Sequence, residues 1–265
     1  MIDLFIGEFK RTWVQTLRYP TEVIGGVVIL TAVFYGLFLG TQYMAGSPSA
    51  LGDSASTDST IRLNAVVVGY VIWTLVLYIV NDIATTLQLE AQTGTLEQVF
   101  LSPFGAPRVF LARAIASLTL RMLLIGVVLS IIVAITRSQL SFPVTLLLPL
   151  GTLILSAYGL AFFIGSFALV FKRVQQLLGL FQFVLLFLLA APTEDWSGRA
   201  QLIANLLPIV PSTGLLRDLM ARHQGLDWGM WAIALANGVL YFTLGTLVFR
   251  WAERQAKRQG TLGGY

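Results

Sequence analysis

The chain has 265 residues, of which 56% are hydrophobic and only 11% charged, and its mean hydropathy is +0.79. A soluble domain of this length needs far more charge to cover its surface, so the chain reads as an all-α polytopic membrane protein. It has no cysteine, which excludes disulfides and thiolate sites; its one histidine, His223, cannot build a metal site alone, and a net charge of +4 is small for nucleic-acid binding.

Residues Asp3 to Tyr19 carry Leu4, Phe5, Phe9, Trp13 and Leu17 at mostly helical spacing, with Lys10, Arg11 and Arg18 among them. The pattern predicts an amphipathic helix in the membrane interface, over residues 1–22, with Pro20 breaking it from the first span. A plain cytoplasmic extension of that span is the other reading.

Six stretches are apolar enough to cross a bilayer at about twenty residues each. They are roughly Val23–Tyr43, Leu63–Val80, Ala114–Ile135, Val144–Val170, Val174–Ala191 and Trp228–Phe249. Small residues follow the first (Ala45 to Ala50), as at a signal-peptide cleavage site. Its long apolar run, and the acids Asp3, Glu8 and Glu22 in its leader, favour retention. Gly46 to Thr60 reads as a flexible external loop. Asn81 and Asp82 end the second span and are expected in the cytoplasmic interface. Arg121, about 22 Å before the end of its apolar run, either snorkels to the inner headgroups or serves a substrate-facing or inter-helix ionic role.

A polar island, within 87–108, separates the second and third spans. It is too short for a domain and too patterned for a slack loop. Thr95 and Gln98 fit a capping box; Leu96, Val99 and Phe100 then share one helical face beside Glu97, and Pro103 and Pro107 stop the helix. Such a capped, amphipathic helix suits a docking surface for another protein. A second broken stretch, Gln201 to Met220 within 192–227, is apolar but interrupted by Asn205, Pro208, Pro211 and Gly214. Two short helices dipping into the outer leaflet suit it if protein covers their freed backbone groups; an extracellular cap is the alternative.

Orientation is set by the basic residues. With a cytoplasmic N-terminus, Lys10, Arg11, Arg18, Arg108, Lys172, Arg173, Arg250, Arg254, Lys257 and Arg258 lie inside; Arg62, Arg137, Arg199, Arg217 and Arg222 lie outside. Arg113 and Arg121 fall within the third span. The bias puts both termini, the island and a tail at 250–265 in the cytoplasm. No nucleotide-binding loop, metal-ligand cluster or serine-nucleophile motif occurs, and no acidic relay crosses the membrane, which weakens an ion-coupled carrier. Energy must then be received from elsewhere.

The segment Glu90, Gly94, Thr95, Leu96, Glu97, Ser102, Pro103 resembles the E-x-x-x-G-T-L-E-x-x-x-x-S-P stretch of permease subunits of type-2 ABC exporters. Leu207-Pro208-Ile-Val-Pro211 leading to Leu216-Arg217 is similar to that family's stretch before its last span. The resemblance covers essentially the whole chain. It implies six spans, an N-terminal interface helix, a cytoplasmic coupling helix between spans two and three, and re-entrant helices before span six. It implies a half-transporter in a bacterial plasma membrane, with a second permease copy, surrounding lipid, and separate ATPase subunits holding the ATP and Mg that this chain does not bind.

By the same analogy Glu90, Gly94, Leu96, Glu97, Val99, Phe100 and Phe104 would meet the ATPase. Asn64, Trp73, Tyr78, Gln175 and Gln182, on spans two and five, would line a pathway. Pro208, Pro211 and Arg217 would shape an outer gate. The cargo implied is amphiphilic: a drug, a lipid or a lipid-linked glycan. A haem-export permease is a neighbouring reading, and a membrane enzyme or assembly scaffold a competing class; neither a catalytic cluster nor an axial haem ligand is visible.

Overall fold

A computed structural model describes residues 9–10, 13–14, 18, 20–45, 55–93, 106–170, 175–190 and 198–259. Among them the chain is helical, without strands. In order the helices are α1 (Pro20–Ala45), α2 (Ala55–Thr93), α3 (Ala106–Thr136), a 3-10 turn (Val144–Leu146), α4 (Leu147–Val170), α5 (Gln175–Ala190), α6 (Arg199–Leu206), α7 (Val210–Met220) and α8 (Trp228–Gln259).

Four segments among the described residues are long and apolar enough to cross a membrane: Leu63–Glu90, Val109–Thr136, Val144–Phe167 and Trp228–Ala256. The expected first and fifth spans are also helical. α1 runs for 26 residues, with a described apolar stretch at Val23–Gly36, and α5 has 16 residues. Phe9, Lys10, Trp13, Val14 and Arg18 are helical as well, and the Phe9 and Trp13 rings lie 5.8 Å apart, one turn from each other.

Three sequence boundaries move. α2 begins at Ala55, so the latter part of the expected loop Gly46 to Thr60 is helix. The helix that carries the second apolar run continues past Val80 through Glu90. α8 continues past Phe249 to Gln259, so the first ten residues of the expected tail at 250–265 extend the last helix.

α2 and α4 form the interior of the bundle. Val67, Val68, Val76, Ile83 and Leu87 of α2 are buried with Leu153, Ala157, Ala161 and Phe162 of α4. α8 packs most extensively on α4, through a stripe of mainly small residues at helical spacing: Ala234, Gly238, Gly245, Ala252 and Ala256, with Phe249 among them. At the crossing the two backbones touch. A Cβ on Gly245 would collide with the Gly159 carbonyl, and one on Gly159 with the peptide joining Tyr241 and Phe242. Lipid tails give no hydrophobic drive for helix pairing, so close backbone approach supplies it through dispersion contacts. Below this crossing Phe249 packs edge-on to Phe162 at 5.4 Å and to Phe110 of α3 at 6.2 Å. The C-terminal half of α8 therefore sits at the same end of the bundle as the start of α3.

Candidate functional site

Residues 94–105 lie outside the described residues, and with them Gly94, Leu96, Glu97, Val99, Phe100 and Phe104. Their frame is described. α2 ends at Thr93 and α3 begins at Ala106, and the two helices pack against each other, so both ends of the island leave from one end of the bundle. Glu90 accepts a hydrogen bond from Arg113 Nη1 at 2.6 Å, one turn before residue 94, which ties α2 to α3 there.

Further into the bundle the same two helices meet again through polar groups. Ser117 Oγ donates to Asp82 Oδ2 at 2.6 Å. The guanidinium of Arg121 lies 4.8 Å from the centre of the Tyr78 ring. The Arg121 contact bears on a point the sequence had left open. Asp82, expected at the end of the second span, faces α3. Arg121 takes up the contact between helices. An apolar environment favours this, because a charge there is held best by an aromatic face and a nearby opposite charge.

The expected pathway residues separate. Asn64 is buried, and its Nδ2 donates to the Gln139 carbonyl in the connection between α3 and α4 at 3.3 Å. Trp73 is buried against Tyr70, with ring centroids 5.6 Å apart, and Tyr70 OH donates to the Leu30 carbonyl of α1 at 2.6 Å. Tyr78 lies beneath Arg121 as described. Gln182 is exposed on α5 beside exposed Phe183 and Val184. Gln175 opens α5, and its side chain lies outside the described ones.

The expected outer-gate residues form one assembly. α6 and α7 are two short helices with a break at residues 207–209, where Ile209 takes a left-handed backbone (φ 70°). Pro208 lies in the break and buried Pro211 in the first turn of α7. Side chains from neighbouring helices satisfy the freed backbone groups. Asn237 Nδ2 on α8 donates to the carbonyls of Asn205 (3.0 Å) and Leu207 (3.1 Å), and Tyr241 OH donates to that of Leu206 (2.8 Å). The Ile209 N–H donates to Ser156 Oγ of α4 at 3.2 Å, and Thr152 and Ser212 share a hydrogen bond of 2.9 Å. Asn237 is nine residues into α8, about 13 Å along its axis, so the break lies beside the apolar body of that helix. The sequence pattern required protein cover of this kind, but could not name the three side chains, Asn237, Tyr241 and Ser156, that supply it.

Arg217 holds the assembly to the rest of the bundle. Its residue is only 4% exposed, and its Nη2 donates to the Leu189 carbonyl in the last turn of α5. Gly69 of α2 provides the seat: a Cβ there would stand 2.8 Å from Nη2. A cation at a helix C-terminus meets an orphan carbonyl and the negative end of the helix dipole. Three helices, α2, α5 and α7, thus converge on one buried arginine. Among the described residues no group of three His, Asp or Glu side chains could hold a metal ion.

A sequence profile of the family described as ABC-2 type transporter matches residues 4–220, which spans α1 to α7 and both segments that carry the resemblance. No curated protein matches the chain. With a family match over most of its length and a helical bundle holding several apolar spans, the chain belongs to the ABC-2 type transporter family and is a multi-pass membrane permease.

Proposed function

We propose that the chain is the half-transporter of an ATP-driven exporter, with Gly94 to Ser102 forming the coupling helix that a cytoplasmic ATPase subunit grips. The observation that carries this reading is the packed pair α2 and α3, which delivers both ends of that segment to one end of the bundle. That end is also the basic end. Phe249 beside Phe110 brings the last turns of α8, with exposed Arg250, Arg254 and Arg258, to the same level. The positive-inside bias makes it cytoplasmic, where ATP is available.

In this reading α1 and α5 complete six spans, and the broken pair α6 and α7 dips into the outer leaflet beside α8. Two permease copies, identical or paired, enclose the path, and closure of two ATPase subunits rocks the helices as rigid bodies. Phe183, Val184 and Leu180 leave an apolar surface on α5 beside Gln182, which fits an amphiphilic cargo or a second copy. Glu90 is engaged by Arg113, so its part in docking would be to brace the segment. A bacterial plasma membrane with both termini inside completes the proposal.

Affinity purification of the full chain from its native membrane tests the class. A Walker-motif ATPase should copurify, and a cysteine at position 97 should crosslink to it, the chain having no cysteine of its own. Absence of any ATPase in both experiments would sink the reading.

A further inference from the structure

α3 carries Arg113, Ser117 and Arg121 at strict four-residue spacing, so the three lie along one face, a turn apart. Each meets α2 in antiparallel order. Arg113 bonds Glu90 at 2.6 Å, Ser117 bonds Asp82 at 2.6 Å, and Arg121 stacks over Tyr78 at 4.8 Å. The charges of Arg121 and Arg113 also act on the Asp82 carboxylate from either side. From Glu90 to Tyr78 the ladder climbs twelve residues, about 18 Å of helix. A third helix is tied in beside Arg113, where Tyr158 OH of α4 donates to the Ala114 carbonyl at 2.9 Å.

Neither packing nor solubility requires this arrangement. Apolar side chains would join two membrane helices without bringing an acid and two guanidinium groups into the apolar run, where ionisable groups are costly. What polar rungs add over apolar packing is register. A helix that slides against Leu or Val finds a similar surface at every step, whereas a slide here of a fraction of a turn breaks all three rungs together.

We propose that this ladder locks α2 and α3 into a single lever, so that a displacement of the segment joining them is carried without slippage to the depth of Tyr78 and Arg121. Its geometry stands on its own; its purpose rests on the coupling reading above. Asp82, Ser117 and Arg121 are then positioning residues for transport, which touch neither ATPase nor cargo.

The test uses the full chain in lipid nanodiscs, with spin labels on Thr85→Cys and Thr119→Cys. Both sites are exposed, on the two helices, and make only local hydrogen bonds. Dipolar EPR should report one narrow inter-label distance. The double substitution Asp82→Asn with Arg113→Gln should at least double its width, and the charge exchange Glu90→Arg with Arg113→Glu should be narrower than either single change. The second readout uses the copurified complex: the ATP-dependent change in labelling rate of Gln201→Cys should fall at least fivefold in Asp82→Asn, while ATP hydrolysis stays within twofold.

An unchanged width in the double variant overturns the lock, as does an exchange no narrower than the singles. A broadened width with the ATP response intact overturns the lever. If no ATPase copurifies, the coupling reading fails, and the EPR widths still decide whether the ladder locks the two helices.

Discussion

Gly245 and Gly69 show how much rests on a missing methyl group. At Gly245 the obstacle is backbone, the Gly159 carbonyl, which cannot rotate aside. Gly245→Ala should lower stability by about 2 kcal/mol, the scale of overpacking a close contact. Gly126→Ala on α3, where a Cβ meets nothing within 4 Å, should be neutral or slightly stabilising. Thermal unfolding monitored by size-exclusion in detergent would compare the two. At Gly69 the obstacle is the Arg217 guanidinium. Gly69→Ala should displace it from the Leu189 carbonyl, and the orphaned carbonyl should cost about 1–3 kcal/mol in the same assay. A Gly69→Ala chain as stable as the parent would show that Arg217 finds another partner cheaply.

Among the helices, the broken pair α6 and α7 is the one whose backbone could not survive in lipid alone. Its cover is Asn237, Tyr241 and Ser156, each a polar residue in an otherwise apolar helix, while Thr152 bonds the Ser212 hydroxyl of α7. Tyr241→Phe and Asn237→Leu should each cost about 1 kcal/mol, as interhelical hydrogen bonds in membranes do. Together they should cost more than their sum, since the α6 C-terminus would lose its donors at once. Unfolding midpoints of the singles and the double supply that cycle. The coupling segment makes a different prediction. Glu97→Lys should leave the ATPase copurifying but reduce cargo-stimulated hydrolysis severalfold; wild-type stimulation would count against docking through that face.

The two segments also differ in how far the residues alone expose them. Capping-box chemistry and flanking prolines make residues 94–105, which lie outside the described ones, a helix candidate in the sequence, because a short helix must declare its ends locally. The break at 207–209 was visible in Pro208 and Pro211 for the same reason. Nothing in the local sequence near Asp82, however, distinguishes an acid at the membrane edge from one turned toward Ser117. That depends on which helix packs alongside. The same holds for Asn64 and Trp73: the residue type marks them as unusual in a span, while the neighbour that receives them is distant in the chain.

For the whole molecule, α8 supplies a measure of membrane thickness. Trp228 and Trp251 are 65% and 64% exposed near its two ends. They are twenty-three residues apart, about 35 Å of helix, which matches aromatic belts on either side of a hydrocarbon core of about 30 Å. Impermeant maleimide on intact cells should therefore label a cysteine at Gln201 and spare one at Glu97, and permeabilisation should reverse the second result. Labelling of position 97 in intact cells would invert the topology and remove the coupling segment from any ATPase.

Composition, hydrophobic run length and the two proline-marked motifs were sufficient by themselves for class and family, because the bilayer demands long apolar helices and interruptions need explicit local signals. Packing alone decided what the buried polar groups do: that Asp82, Ser117 and Arg121 face α2 or α3, that Arg217 reaches α5, and that Gly159 meets Gly245. Partners so far apart in the chain leave no periodic trace, since a hydrogen bond or a backbone contact between helices is fixed by their rotation and register, which only the assembled bundle sets.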